Sequence, residues 1–213
     1  MALPTGPVPD RVLLVEGRDD RYVVDHIRRR SPPLPDFEIV DKGGIDPLLA
    51  SIGVELKAPG RQAVGIIVDA NDDIEARWSA VKDRVSRAGI ALGDRDPNGT
   101  VVRGAALEPD VGLWIMPDNR SPGELEDFIA DMIPKDDSVW PLSRAYIDGI
   151  PAESRLFNPK KEKRAKVHAW LAARERPRPM GLAIRAGDLE VGGDLCTQLA
   201  TWLRQLFGPS ADR

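Results

Sequence analysis

Two carboxylates stand directly behind two apolar, β-rich runs. Glu16 follows residues 12–15 (VLLV), and Asp69 follows residues 63–68 (AVGIIV). A third acidic segment, with Glu124, Glu126 and Asp127, comes later in the chain. In a parallel α/β sheet, the C-terminal ends of the strands open onto one crevice where the strand order reverses. Acids far apart in sequence are therefore expected to converge there. Gathered carboxylates repel one another, since each charge disfavours the next, and a cation is the natural way to neutralise them. Oxygen donors with no Cys or His among them suit Mg²⁺ or Mn²⁺, and such an ion suits phosphate chemistry. A lone acid at a strand end is more often a helix cap, and Asp19, Asp20 and Asp73 read as caps.

The elements that must position these groups alternate. Residues 12–15 read as a buried strand. A helix carrying Val23, Val24 and Ile27 follows, favoured at its end by Arg28, Arg29 and Arg30 and stopped by Ser31-Pro32-Pro33. Residues 37–40 form a second strand. Asp46-Pro47 reads as N-cap and first helical position for a helix with Leu48, Leu49, Ile52 and Leu56 on one face. Residues 63–68 are the clearest strand, apolar throughout as in sheets buried on both faces. A helix with Ile74, Trp78, Val81 and Val85 comes next, then a loop at 93–99 and strands at 101–102 and 112–116. Leu125, Phe128, Ile129, Met132 and Ile133 complete a helical stripe. In the last third, the basic run 158–166 (NPKKEKRAK) leads into a helix with Val167, Trp170 and Leu171. A Pro/Arg loop follows, and then a final helix with Leu195, Leu199, Trp202, Leu203 and Leu206. This alternation predicts an α/β fold with a mostly parallel sheet, flanked by helices and carrying a C-terminal helical extension.

Composition narrows the function classes. The 213 residues suit one domain, or one with a small appendage. One cysteine, Cys196, excludes an internal disulfide framework and a cysteine zinc cluster, and His26 and His168 alone exclude a histidine-rich metal site. No segment approaches the roughly 20 apolar residues needed to span a bilayer, and the first residues carry no secretion signal. A cytoplasmic protein without membrane partners is the expectation. The net charge is −4, so any nucleic-acid binding must come from a local basic patch. The chain has no GxxxxGK[ST], no GxGxxG after a strand and no GxSxG, which disfavours ATP hydrolysis, dinucleotide binding and acyl chemistry.

Leu14-Val15-Glu16-Gly17-Arg18-Asp19-Asp20 resembles the first motif of Toprim domains, and Val68-Asp69-Ala70-Asn71-Asp72 resembles the second, a strand followed by Asp-x-Asp. The whole chain, over roughly 10 to 206, resembles more closely a Toprim-like family, domain of unknown function 3226. That likeness rests on VEGRDD, on IVDANDD with Arg77-Trp78, on GLWIMPDN with GELEDF, and on the Lys-rich KVHAWLA segment. The resemblance implies a Toprim-like α/β core over 10–135 and an extension over 136–213 packed on it. It implies a Mg²⁺-dependent (or Mn²⁺-dependent) phosphoryl-transfer protein acting on nucleic acid, DNA or RNA, as a nuclease.

Roles follow from the resemblance one residue at a time. Glu16 is the general acid/base or a metal ligand, and Asp69 the principal metal ligand. Asn71 falls where the family has its second acid. It offers a carbonyl oxygen without the charge, leaving Asp72 or Asp73 to replace it after a small backbone adjustment. Glu126 matches the later acidic position of nuclease-type members, with Asp127 and Asp118 as weaker candidates. Lys163, Lys166 and His168 are candidates for stabilising charge that develops on a phosphodiester, although a histidine beside Trp170 is more often structural. Lys160, Lys161 and Arg164 are candidates for holding backbone phosphates. Two other readings stay open. One is a catalytically silent module that binds nucleic acid or a partner, in the context of a partner ATPase. The other is a receiver-like phosphoacceptor with Asp69 as the site, which fits less well because the acidic pair after the first strand is displaced.

Overall fold

Alternating apolar strands and amphipathic helices build five strands and eight helices among the described residues of a computed structural model, which describes residues 9–31, 33–105 and 107–208. Pro32 of the expected helix stop, residues 1–8 of the stretch read for a secretion signal, and residues 209–213 of the expected extension lie outside them. In chain order the elements are β1 (Arg11–Val15), α1 (Arg18–Arg30), β2 (Glu38–Asp41), α2 (Ile45–Leu56), β3 (Ala63–Asp69), α3 (Ile74–Arg87), β4 (Thr100–Val102) and β5 (Asp110–Met116). Then come α4 (Leu125–Asp131), α5 (Val139–Asp148), α6 (Glu162–Ala172), α7 (Met180–Ala186) and α8 (Asp194–Phe207), with short 3₁₀ turns at Ala152–Ser154 and Pro159–Lys161.

The sheet order is β2-β1-β3-β5-β4, parallel except for β4, which runs antiparallel to β5. The fold is thus α/β with a mostly parallel sheet between helical layers, and it ends on a C-terminal helix. Strand residues alternate between the two faces. Leu13, Val15, Ile67, Trp114 and Met116 face α1, α4, α6, α7 and α8. Val12, Leu14, Val64, Ile66 and Leu113 face α2 and α3. Both faces are covered, which is why β3 and β5 read as almost unbroken apolar runs.

Helix α8 lies against the sheet at a pair of glycines that are register partners, Gly65 on β3 and Gly112 on β5. A Cβ at Gly112 would stand 2.5 Å from Leu206 Cδ2, and one at Gly65 would stand 2.9 Å from Phe207 Cζ. The two positions are bare so that α8 can approach.

Several local details differ from the sequence reading. Helix α1 begins at Arg18, so Asp20 sits inside the first turn, where its Oδ2 accepts the Gly17 N–H at 3.1 Å. Helix α2 begins at Ile45, with Gly44 ahead of it at φ 130°, so Asp46 lies within the helix instead of capping it. Asp73 does cap α3, accepting from Ala76 N at 2.9 Å. Helix α4 closes at Asp131, and Met132 and Ile133 are buried just beyond it. Helices α5 and α7 had no counterpart in the sequence reading. No helix among the described residues is long and apolar enough to cross a membrane.

Candidate functional site

Glu16 and Asp69 meet. β1 and β3 are neighbours, and the turn after β1 carries Glu16 across the sheet rim until its Oε1 accepts the backbone N–H of Asp69 at 2.8 Å. Asp69 in turn receives, on Oδ1, the N–H of Leu125 at 3.0 Å, the first residue of α4. That bond ties the end of β3 to the acidic segment after β5. The crossing is reinforced by a two-bond bridge between Asn71 and Gly123, 2.8 Å each way. Asn71 adopts φ 53° there, a conformation that Asn tolerates better than most residues. Gly123 has no room for a side chain, since a Cβ would come within 2.8 Å of Asp127 Oδ2.

Around this junction five carboxylates share one region: Glu16, Asp20, Asp69, Glu124 and Glu126. Burial first, and then repulsion from Asp20, Glu16, Glu126 and Glu124, push the Asp69 carboxyl up to about 8. Burial and the Glu16 charge push Asp20 up to about 7, against the opposing bonds from its own N–H and that of Gly17. Glu16 is also raised, burial outweighing the Asp69 N–H bond and the attraction of Arg77 and Lys161. Glu126 is 2% exposed, and its Oε2 is buried without a hydrogen-bond partner among the described residues. Leaving such an oxygen unpaired is costly.

The opposite charges arrive from one short stretch of the C-terminal extension. Lys161 Nζ bonds Asn71 Oδ1 at 2.8 Å and also pairs with Glu124. Arg164 Nε meets Glu126 Oε1 at 2.5 Å. Lys160 pairs with Asp72 at the exposed rim at 2.6 Å, and Lys163 stands 3.9 Å from Asp127. Arg77, in the first turn of α3, reaches back to the Asp69 carbonyl at 2.7 Å.

The structure therefore gathers Glu16, Asp69 and Glu126, and sets Asn71 and the basic run 160–164 beside them. Other expected residues have different surroundings. Asp127 accepts the Glu124 N–H at 2.9 Å and so closes the start of α4. Asp72 is exposed and points its carboxylate to Lys160. Lys166 is held by Glu162 at 2.5 Å and Asp148 at 2.7 Å, a different pair of acids. His168 has a side chain 54% exposed, with Nε2 3.9 Å from Glu126 Oε1. Asp118 accepts bonds from Arg120 N and Ser121 N within its own loop.

The sequence reading left Asp20, Glu124 and Arg77 without site roles. Asp20 carried a signal, four residues after Glu16, but looked like a cap. Arg77, four residues after Asp73, is placed by one helical turn over the end of β3.

The family model described as a protein of unknown function, DUF3226, matches residues 10–208. The chain belongs to that family. No curated protein and no solved structure matches it. In this DUF3226 chain the matched span takes in both the sheet rim and the basic stretch laid across it.

Among the described residues, no three His, Cys, Asp or Glu side chains stand together as a ready-made metal cage. The donors the rim offers are hard oxygens: buried carboxylates that resist ionising together and, among the described residues, an unpaired oxygen on Glu126. A pH dependence follows. Between about pH 4, where a free Asp ionises, and about pH 8, to which burial and the neighbouring carboxylates raise Asp69, the folded chain keeps a proton on Asp69 that the unfolded chain has lost. More protons in the native state means that stability falls as pH rises through that window. Thermal unfolding followed from about pH 5 to about pH 8.5 without divalent ions should show a falling midpoint, flatter in Asp69→Asn. A wild-type midpoint that rises across this range contradicts the assignment.

Proposed function

We propose that this protein is a Mg²⁺- or Mn²⁺-dependent phosphoryl-transfer protein of Toprim type that cleaves a nucleic-acid phosphodiester. The observation that carries this reading is the convergence of Glu16, Asp69 and Glu126 at one buried rim, with Glu126 Oε2 left unpaired. Asp69 and Glu126 would hold the ion, with Glu16 beside them. When bound, a divalent ion screens the phosphate and lowers the pKa of a coordinated water. The chain's own residues do the rest. Glu16, whose proton affinity burial raises, moves a proton at the rim. Lys161 and Arg164, now on Glu124 and Glu126, are placed to exchange onto phosphate oxygens once those acids have another partner. His168 is exposed beside the same glutamate.

A second reading is favoured by a specific observation. Asn71 stands where the resemblance has an acid, its side-chain oxygen already engages Lys161, and Arg164 already balances Glu126. A pocket neutralised from within needs no metal, and the protein then acts as a silent module that binds nucleic acid or a partner such as an ATPase. Plasmid nicking with Mn²⁺ separates the two. Product that disappears in Glu16→Gln supports the nuclease, and a mobility shift without cleavage supports the module.

A further inference from the structure

The loop Arg176-Pro177-Arg178-Pro179, between α6 and α7, plays no part in the acidic rim. Its two prolines each fix φ, and Pro179 is extended at φ −61°, ψ 157°. Arg178 Nε donates to the Arg176 carbonyl at 2.8 Å, which sets the two arginines in a fixed relation. With Leu182, Arg185 and Ala186 of α7 they line an open hollow of about 380 Å³.

Three of those five residues are arginines. Arg176 and Arg185 are exposed and have no ion pair among the described residues, while Arg178 has one, to Asp188 at 3.5 Å. Beside them α7 packs on α1, with Arg30 Nη1 donating to the Ile184 carbonyl at 2.6 Å. Arg29 of α1 and Arg185 both stand close enough to His26 to act on its charge. The acids in this neighbourhood are Asp188, Asp25, which pairs with Arg29, and Glu175 in the same loop.

A chain of net charge −4 repels a polyanion at long range, so it needs a local cationic grip. With no metal at the rim, the basic run 160–164 lies against Asp72, Glu124, Glu126 and Asp127. Arg176 and Arg185 of the hollow have no such partner among the described residues. Guanidinium forks match phosphate oxygens two at a time, and Leu182, 43% exposed, adds apolar surface to the lining that a base can cover when it is free of a duplex stack. We infer that this hollow binds the phosphate backbone of a single-stranded nucleic acid and is a second contact for the substrate outside the acidic rim. The inference rests on the phosphodiester reading for its choice of ligand.

The test is fluorescence anisotropy with a labelled single-stranded oligonucleotide, using the full chain in metal-free buffer so that nothing is cut. The double variant Arg176→Ala/Arg185→Ala removes two exposed side chains, and its melting curve checks that it folds. It should bind about tenfold or more weakly, and the slope of log affinity against log salt should fall by about 1.4, as expected for two lost contacts to a single strand. Arg176→Lys/Arg185→Lys should recover part of the loss. Unchanged affinity and slope in the alanine variant overturn the inference, as does wild-type protein that binds no oligonucleotide. Duplex bound more tightly than single strand overturns its choice of strand. Competition by polyglutamate as effective as by the oligonucleotide also overturns it, and moves the hollow to an acidic protein partner. Binding that survives in Asp69→Ala and depends on the arginines supports it, even where Mn²⁺ nicking fails and the catalytic reading falls.

Discussion

Glu16→Gln should lower Mn²⁺-dependent nicking by about 10²- to 10⁴-fold, the range spanned by a positioned general acid or base. The substitution is close to isosteric. Glutamine keeps an oxygen in place of Oε1, so the bond from Asp69 N–H, 2.8 Å in the structure, has an acceptor in the variant too. What is lost is the charge and the capacity to exchange a proton. Removing that charge also relieves one source of repulsion on Asp69 and Asp20. Both carboxyls should then ionise at lower pH and the fold should not suffer. A variant that nicks at the wild-type rate, with an unchanged melting curve, denies Glu16 any part in the chemistry and favours the silent module.

The second large effect is on stability. Trp202→Ala should cost about 3–5 kcal/mol, the range for emptying a buried aromatic site. Trp202 is 1% exposed and tilts against Trp114 with ring centroids 5.9 Å apart. Its Nε1 donates to the Thr100 carbonyl at 3.1 Å, so α8 holds the antiparallel edge strand β4 in place. The ring also fills the space over Gly99, where a Cβ would stand 2.4 Å from Trp202 Cδ1. Truncation therefore opens a cavity and removes the indole bond to the Thr100 carbonyl, two separate costs. Urea unfolding measures the sum. A loss under about 1 kcal/mol would mean that α8 is dispensable to the sheet.

Glu16 and Asp69 were legible because a strand rule applies to them: an acid after an apolar run sits at the carboxyl rim whatever the rest of the chain does. The parallel core was legible for the same reason, since β3 announces burial on both faces. Asp20 was not, because an acid at the start of a helix reads alike whether it caps the helix or sits one turn in. The basic run 160–164 was visible, but its destination was not. Whether Lys161 meets a phosphate or Glu124 is decided by the path of the chain from α5 to α6, a tertiary matter. The antiparallel sense of β4 was hidden by its three-residue length. Gly65 and Gly112 read as members of their strands with no further role, and they are the seat of α8. Asp137 gave no sign of its role. Its carboxylate collects Trp170 Nε1, two backbone N–H groups and Arg174, fastening α5 to α6. Burial works against its charge, but these donors outweigh it and hold the carboxyl below its usual range.

The lysines beside the rim serve its acids while no metal is bound, whereas the arginine hollow presents Arg176 and Arg185 without an ion pair among the described residues. The hollow would then be a contact for the substrate additional to the rim, so that binding at the hollow can persist where the metal site is lost.

Isothermal titration of Mn²⁺ into the purified chain reaches the central claim without waiting for a substrate. The account predicts measurable heat with wild-type protein, stronger at about pH 8 than at about pH 6 because protons on Asp69 and Asp20 compete with the ion, and none with Asp69→Ala. Wild-type protein that gives no heat at either pH, or heat that Asp69→Ala leaves intact, contradicts a cation site at this rim.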